Sequence, residues 1–307
     1  MKRILITGAE GFIGGHCLQR LLASGEHVHA TTFADNLPDS RNDVQWHTVD
    51  VLNKDQIAAL MKSIRPTHLL HLAWNVQTGM QLNAVENFRW VNAGVDLFRL
   101  FHQNGGKRVV VAGSCAEYDW RFPYLSESTT PVTPANLYGS CKHALQTLLD
   151  AYCRLTDLRY AWARIFFTYG PGENPKRLVA SVIRSLLRGQ EAPCSHGEQI
   201  RDYLYAGDIA DALVVLLDDS VQGPINIGSG EPVKLKQIIQ KTADLIGADR
   251  DLVRLGAISV PDDEPPVLLA DIHRLKHELG WKPKYDLDVG LTETIAWWKP
   301  QLVNGLR

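Results

Sequence analysis

Tyr138 and Lys142 stand four residues apart in the stretch NLYGSCKHAL, residues 136–145. At that spacing both project from one face of a helix. Two readings of the pair are open. It is an ordinary surface pair, or it is an acid–base device. In the second case a nearby ammonium favours phenolate and draws the tyrosine below its usual pKa of about 10. The hydroxyl then exchanges a proton with a carbonyl or alcohol oxygen while a hydride moves elsewhere. Such chemistry needs a group to hold the reacting oxygen and a hydride carrier. Ser114, closing the apolar run RVVVAGS, is the candidate for the first. The stretch TGAEGFIG offers the second, through Gly8, Gly11 and Gly14. Gly8 permits a tight turn, Gly11 lets backbone N–H groups approach a pyrophosphate, and Gly14 lets a helix pack closely on its strand. Phe12 and Ile13 open that helix, whose N-terminus favours negative charge. The spacing is GxxGxxG, one residue longer than the usual GxGxxG, so the strand before it and the helix after it carry the assignment.

These groups need a scaffold that brings strand ends together. RILITG is a short apolar run, as a strand buried on both faces requires. The helical pattern FIGGHCLQRLLASG follows, with Gly25 at its end. HVHATT, VQWHTVDV and HLLHLAW read as further strands, and AVENFRWVNAGVDLFRLFHQNG as a long helix before RVVVAGS. This alternation predicts an α/β chain with a Rossmann-type doubly wound parallel sheet. From about residue 170 the alternation breaks down into helical stretches such as PKRLVASVIRSLLRGQ. A smaller mixed α/β C-terminal substrate lobe is expected there. The division is 1–169 for dinucleotide binding, with segments near 204–228 returning to it, and 170–307 mainly for substrate.

An acidic residue at the end of the second strand usually bonds the adenosine ribose and repels a 2′-phosphate. Thr31, Thr32 and Phe33 occupy that place, Asp35 comes late, and Arg41 lies further on. Thr32 and Arg41 therefore tilt the expectation toward NADP(H), with NAD possible. The 307 residues carry a net charge of −2, which points to neither nucleic acid nor a membrane surface. No apolar run approaches the roughly 20 residues that span a bilayer. Cys17, Cys115, Cys141, Cys153 and Cys194 form no CxxC pair, so a reducing cytoplasm is expected. No metal is expected, since His68 and His71 belong to no recognisable ligand set.

In order along nearly the whole chain, these motifs resemble the extended short-chain dehydrogenase/reductases, the NAD-dependent epimerase/dehydratase family acting on nucleotide sugars. TGAEGFIG resembles the family's cofactor turn, and VDV at 49–51 its adenine-contacting segment, which implies Asp50 and Val51. HLAW resembles the HLAA strand end, placing Leu72, Ala73 and Trp74 near the cofactor, and VNAGV places Asn92 at the helix asparagine. GSCAEYDW resembles the segment bearing the catalytic serine or threonine, and YGSCK the tyrosine–lysine pair. TYGPG, IRDYLYAGDIADAL, NIGSG and LGW have counterparts as well. The resemblance implies that Tyr138 is the acid/base, that Lys142 lowers its pKa and holds the nicotinamide ribose, and that Ser114 orients the substrate. It also implies that Arg201 pairs with a substrate diphosphate, as arginine's bidentate fork allows. Arg177 is a second phosphate candidate; for both arginines a structural or solvated role is the other reading.

The departures narrow the reaction. Sugar dehydratases of the family follow the serine or threonine with Asp and Glu; here Cys115 and Ala116 follow. GDP-fucose synthase-like epimerase-reductases place a cysteine two residues after the serine and a histidine just after YGP; here those places hold Ala116 and Gly172. Glu117 stands where valine is usual, and either meets the sugar or serves the structure. Phe167 and Thr168 replace an asparagine region that touches phosphate. The expected activity is NAD(P)H-dependent reduction of the 4-keto group of a nucleotide-linked, 6-deoxy sugar, with Tyr138 as proton donor. The alternative is a 4-epimerase with tightly bound NAD. A non-catalytic sensor or scaffold is disfavoured because Tyr138 and Lys142 are both present. Helices near 84–103 and 136–155 imply a homodimer.

Overall fold

The computed structural model describes residues 2–33, 44–75 and 82–303. Its strands are β1 (Ile4–Thr7), β2 (Val28–Thr32), β3 (Val44–Thr48), β4 (His68–His71), β5 (Arg108–Ser114), β6 (Tyr124–Leu125), β7 (Arg159–Ile165), β8 (Phe167–Tyr169), β9 (Ala192–Pro193), β10 (Ile200–Tyr205), β11 (Gly223–Ile227), β12 (Pro232–Lys234), β13 (Val253–Arg254) and β14 (Val267–Ala270). Its helices are α1 (Phe12–Ala23), α2 (Lys54–Ile64), α3 (Asn87–Gln103), α4 (Leu137–Arg154), α5 (Leu178–Leu187), α6 (Ala206–Asp218), α7 (Leu235–Ile246), α8 (His273–His277) and α9 (Leu287–Val303).

A seven-stranded parallel sheet, in the order β11-β7-β5-β4-β1-β2-β3, forms the larger layer. Its apolar strands serve two cores at once because successive side chains point to opposite faces. Ile4 and Ile6 of β1 pack with Leu21 of α1 and Ile209 and Leu213 of α6. Leu5 packs on the other face with Ile57 of α2, Leu97 of α3 and Leu145 of α4. The strand order reverses between β1 and β4, which opens a crevice at the carboxyl ends of the strands, where ligands bind in such sheets.

The smaller layer is a five-stranded mixed sheet: β12-β10-β14-β6, with β8 also paired to β10. Helices α5, α7 and α9 pack on its side through Val179, Ile183, Ile238, Leu291 and Ile295. The chain does not divide cleanly at residue 170. Strands β6 and β8 precede that point yet belong to the smaller sheet, while α6 and β11 follow it and join the larger layer. Buried Asp202 of β10 ties the layers, and buried Asp211 anchors the chain after α8 to α6. Asp202 accepts the backbone N–H groups of Ser229 and Gly230, at 2.6 and 2.9 Å. Asp211 accepts the indole N–H of Trp281 at 2.9 Å. Among the described residues no helix is long and apolar enough to cross a membrane.

Candidate active site

The glycine turn after β1 has the shape the spacing predicts. Gly8 adopts φ +74°, and a Cβ there would come within 2.7 Å of the Ala73 backbone nitrogen. Only a residue without a side chain lets the turn nest against the end of β4. The Leu72 N–H bonds the Thr7 carbonyl at 3.1 Å, fixing Leu72 and Ala73 beside the turn. Gly11 caps α1 without a side-chain hydrogen bond, Phe12 and Ile13 start the helix, and Gly14 is buried in its first turn. The free N–H groups of that first turn suit a pyrophosphate.

On the adenosine side, Val51 and Asn92 meet across one pocket with Leu52, Ile57 and Arg89. Asp50 beside them bonds the Leu52 N–H at 2.8 Å. At the end of β2 stands a group that sequence reasoning missed. The Thr32 hydroxyl donates to the carboxylate of Glu10, which comes from the glycine turn itself. A carboxylate therefore does stand at the end of the second strand, delivered from another segment. The expectation of NADP(H) rested on its absence, and its presence corrects that premise. Arg41 and Asp35 lie outside the described residues.

The catalytic candidates converge at the end of β5. Asn136 caps α4 by accepting the Gly139 N–H at 2.8 Å, which puts Tyr138 in the first turn. A Cβ on Gly139 would lie 2.1 Å from the Ala116 carbonyl oxygen, so this glycine lets α4 start hard against the turn that follows Ser114. Ser114 and Tyr138 line one cleft of about 300 Å³ with Cys115, Ala116, Trp120, Phe167, Thr168, Glu173, Arg177 and Tyr203. Desolvation raises the Tyr138 phenol above its ordinary range, while a hydrogen bond with Ser114 opposes the rise. This reverses the expected depression by Lys142. The physical reason is burial of the phenol itself, to which the nearby Glu117 and Cys115 add. Lys142 is buried as well, and burial draws its ammonium down to about 7, although Glu117 favours its charge. It donates to the Ala112 carbonyl at 2.8 Å and lies 3.9 Å from the centre of the Trp74 ring.

Other candidates take roles that differ from those the sequence led us to expect. Trp74 is the floor beneath Lys142: it stacks on Trp90, meets Tyr138 edge-on and bonds Asn87 at 2.8 Å. Glu117 is fully buried and does not line the cleft. One of its oxygens accepts the Ser114 N–H at 2.7 Å and the Trp162 indole N–H at 2.8 Å; the other pairs with Arg164 at 3.0 Å. Every contact holds the frame, so Glu117 is not placed to touch a sugar. Arg201 is 2% exposed, donates to the Ile200 carbonyl and Glu264, and lies 5.4 Å from the Phe167 ring. Its guanidinium pairs with Glu264, and it is not among the residues that line the cleft. Arg177 is exposed on the cleft wall at the start of α5. Burial pushes the Cys115 thiol up to about 12, so it is not a nucleophile at neutral pH. Among the described residues no three His, Cys, Asp or Glu side chains gather as a metal-ligand group.

A dinucleotide cradle beside a Ser–Tyr–Lys constellation defines a hydride-transferring enzyme of the short-chain dehydrogenase/reductase kind. The family model for the NAD dependent epimerase/dehydratase family matches residues 4–228. The chain belongs to that family. It is 28% identical to UDP-glucuronic acid decarboxylase 1 of Xenopus tropicalis, over 98% of this chain and 73% of that protein. It is 26% identical to UDP-glucuronate 4-epimerase of Thermodesulfobacterium geofontis, over 98% of both. Among solved structures it resembles MoeE5 in complex with UDP-glucose and NAD, at a TM-score of 0.83 and 28% identity over 98% of this chain and 99% of that one.

Proposed function

We propose that the protein is a nucleotide-sugar 4-epimerase that retains NAD and recycles its hydride. The observation that carries this reading is the cleft in which Ser114 and Tyr138 meet with no carboxylate at the two positions after Ser114. That arrangement supplies proton transfer at one substrate oxygen, which 4-epimerisation needs along with a hydride carrier. Glu10 at the β2 end supports NAD over NADP, since its charge would repel a 2′-phosphate. The 4-epimerase relative supports the same choice. The expectation of a 4-keto reductase leaned on a missing carboxylate, and that support is gone.

Gly8, Gly11, Phe12 and the first turn of α1 would hold the pyrophosphate, Glu10 and Thr32 the adenosine ribose, and Val51 and Asn92 the adenine side. Bound NAD supplies a hydride acceptor at the substrate carbon, and its reduced form a donor. Ser114 holds the substrate 4-oxygen, and Tyr138, as its phenolate, takes that oxygen's proton as the carbonyl forms and returns it as the alcohol is rebuilt. Lys142, with Trp74 beneath it, sets the charge beside that proton. The apolar face shared by α3 and α4, where Val95 and Leu148 are exposed, is proposed to meet a second copy of the chain.

Denaturing the purified protein and identifying the dinucleotide released tests the reading. NAD at about one per chain is expected. An empty protein that then binds NADPH more tightly than NADH would favour the reductase instead.

A further inference from the structure

Lys142 rests on an aromatic ring that has no part of its own in the proton transfer. Trp74 follows β4 and is 8% exposed; Lys142 of α4 is 3% exposed. The ammonium lies 3.9 Å from the centre of the Trp74 ring. A cation over an indole face is attracted by the quadrupole of the ring, most strongly where water is excluded. Few other groups support this charge. The ammonium donates to the Ala112 carbonyl of β5 at 2.8 Å. Glu117 favours the charge, yet both of its oxygens are occupied, by Ser114, Trp162 and Arg164. The ring itself is fixed in place. Its N–H bonds Asn87 Oδ1 at 2.8 Å, and Asn87 in turn bonds the Ala84 carbonyl at 2.8 Å. Trp90 of α3 stacks on it with ring centres 5.9 Å apart.

We propose that Trp74 is a positioning residue, whose indole face holds the Lys142 ammonium in its charged form beside Tyr138. What that charge does rests on the reading of Tyr138 as the acid/base given above, whereas the charge itself is readable without turnover. Burial draws the ammonium down to about 7, so near neutral pH a modest attraction decides how much charge Tyr138 meets. The titratable groups around Lys142 come from several elements. His71 of β4 is drawn down to about 3 by burial and by Lys142. Tyr138 of α4 is held above its ordinary range by burial. Glu117, after β5, pairs with Arg164 of β7 at 3.0 Å. Neither His71 nor Tyr138 changes charge near pH 7, where Lys142 does. Two consequences of removing the ring then differ in sign. Loss of the indole face destabilises the ammonium and moves its midpoint down. Water entering the space left behind would relieve burial and move the midpoint up.

The test is NMR of the full chain labelled with lysine carrying carbon-13 at Cε, titrated from about pH 5 to about pH 10. The resonance missing from Lys142→Met assigns Lys142. Trp74→Leu should lower the Lys142 midpoint by about one pH unit, and Trp74→Phe, which keeps a weaker ring face, by about half a unit. The alkaline limb of kcat/KM for epimerisation should move down by the same amounts. A purely structural role would lower the rate or the stability without moving either. An unchanged or raised midpoint overturns the proposal, the raised one because it marks relief of burial alone. If Trp74→Leu does not fold, Trp74→Phe decides by the same criterion. A lowered midpoint with an unmoved kcat/KM limb also overturns it, since Tyr138 then makes no use of the charge. A lowered midpoint in a protein that turns over no nucleotide sugar supports the hold of Trp74 on Lys142 and overturns the nucleotide-sugar reading instead.

Discussion

Two buried glutamates stand near the same cleft, and composition does not tell them apart. Glu117 follows β5 with both oxygens occupied, by Ser114, Trp162 and Arg164. Glu173 follows β8, and its Oε2 has no hydrogen-bond partner among the described residues. Glu117 is a strut: its charge is matched by Arg164, and its bond to Ser114 fixes the strand end. Glu173 has burial without sufficient partners, and burial then favours the neutral acid. Partners, not depth, decide whether a buried carboxyl keeps its charge.

Substitutions at and around the two residues sharpen the contrast. The largest effect is expected at the residue both regions serve. Tyr138→Phe should lower kcat by about 10² to 10⁴ with unfolding free energy nearly unchanged, measured by steady-state assay and urea titration. Glu117→Ala should do the opposite in kind. It strands Arg164 and should cost about 3–5 kcal/mol in urea unfolding, with kcat falling because Ser114 loses its anchor. If Glu117→Ala is as stable as the wild type, the strut is not one.

Glu173→Gln should gain stability relative to the wild type, in a pH-dependent way. The folded pKa, about 8, lies above the ordinary 4.5, so the folded state binds more protons between those values. The wild type keeps this contribution fully below pH 4.5 and loses it as pH rises toward 8. The gain of Glu173→Gln should therefore grow across that window and level off above it, on the order of 4 kcal/mol, read by urea unfolding at several pH values. A gain constant with pH would contradict the burial of a neutral acid. The smallest effect is expected away from the cleft. Glu10→Gln should shift the ratio of NADPH to NADH affinity about tenfold toward NADPH, measured by fluorescence titration, because it removes one charge from the ribose end of the cradle.

Local spacing made much of the site legible. The glycine turn, Tyr138, Lys142 and Ser114 were readable because each motif encodes its own turn, helix face or strand end. Non-local pairing was not readable. Arg201 finds Glu264 across 63 residues, and no spacing announces that partner. Glu10 was hidden because a ribose-facing carboxylate is sought at the end of β2, whereas here it reaches Thr32 from the preceding turn. Glu117 lies in a short turn, where alternation no longer says which way a side chain points. Glu173 had only its place between TYGPG and a helical stretch as a signal, and burial of that loop depends on the smaller sheet packing above it. The sheet itself was legible because apolar strands alternating with amphipathic helices admit few arrangements. The placement of β6 and β8 in the smaller sheet was not, since strands of two or three residues leave almost no pattern.

In a 4-epimerase that retains NAD, hydride leaves and returns to the same carbon. UDP- and dTDP-hexoses carrying deuterium at C4, incubated with the protein and no added dinucleotide, test it most directly. The expected product is the 4-epimer with its deuterium retained. Failure of every such hexose to epimerise, together with NADPH consumption on a 4-keto nucleotide sugar, would contradict it.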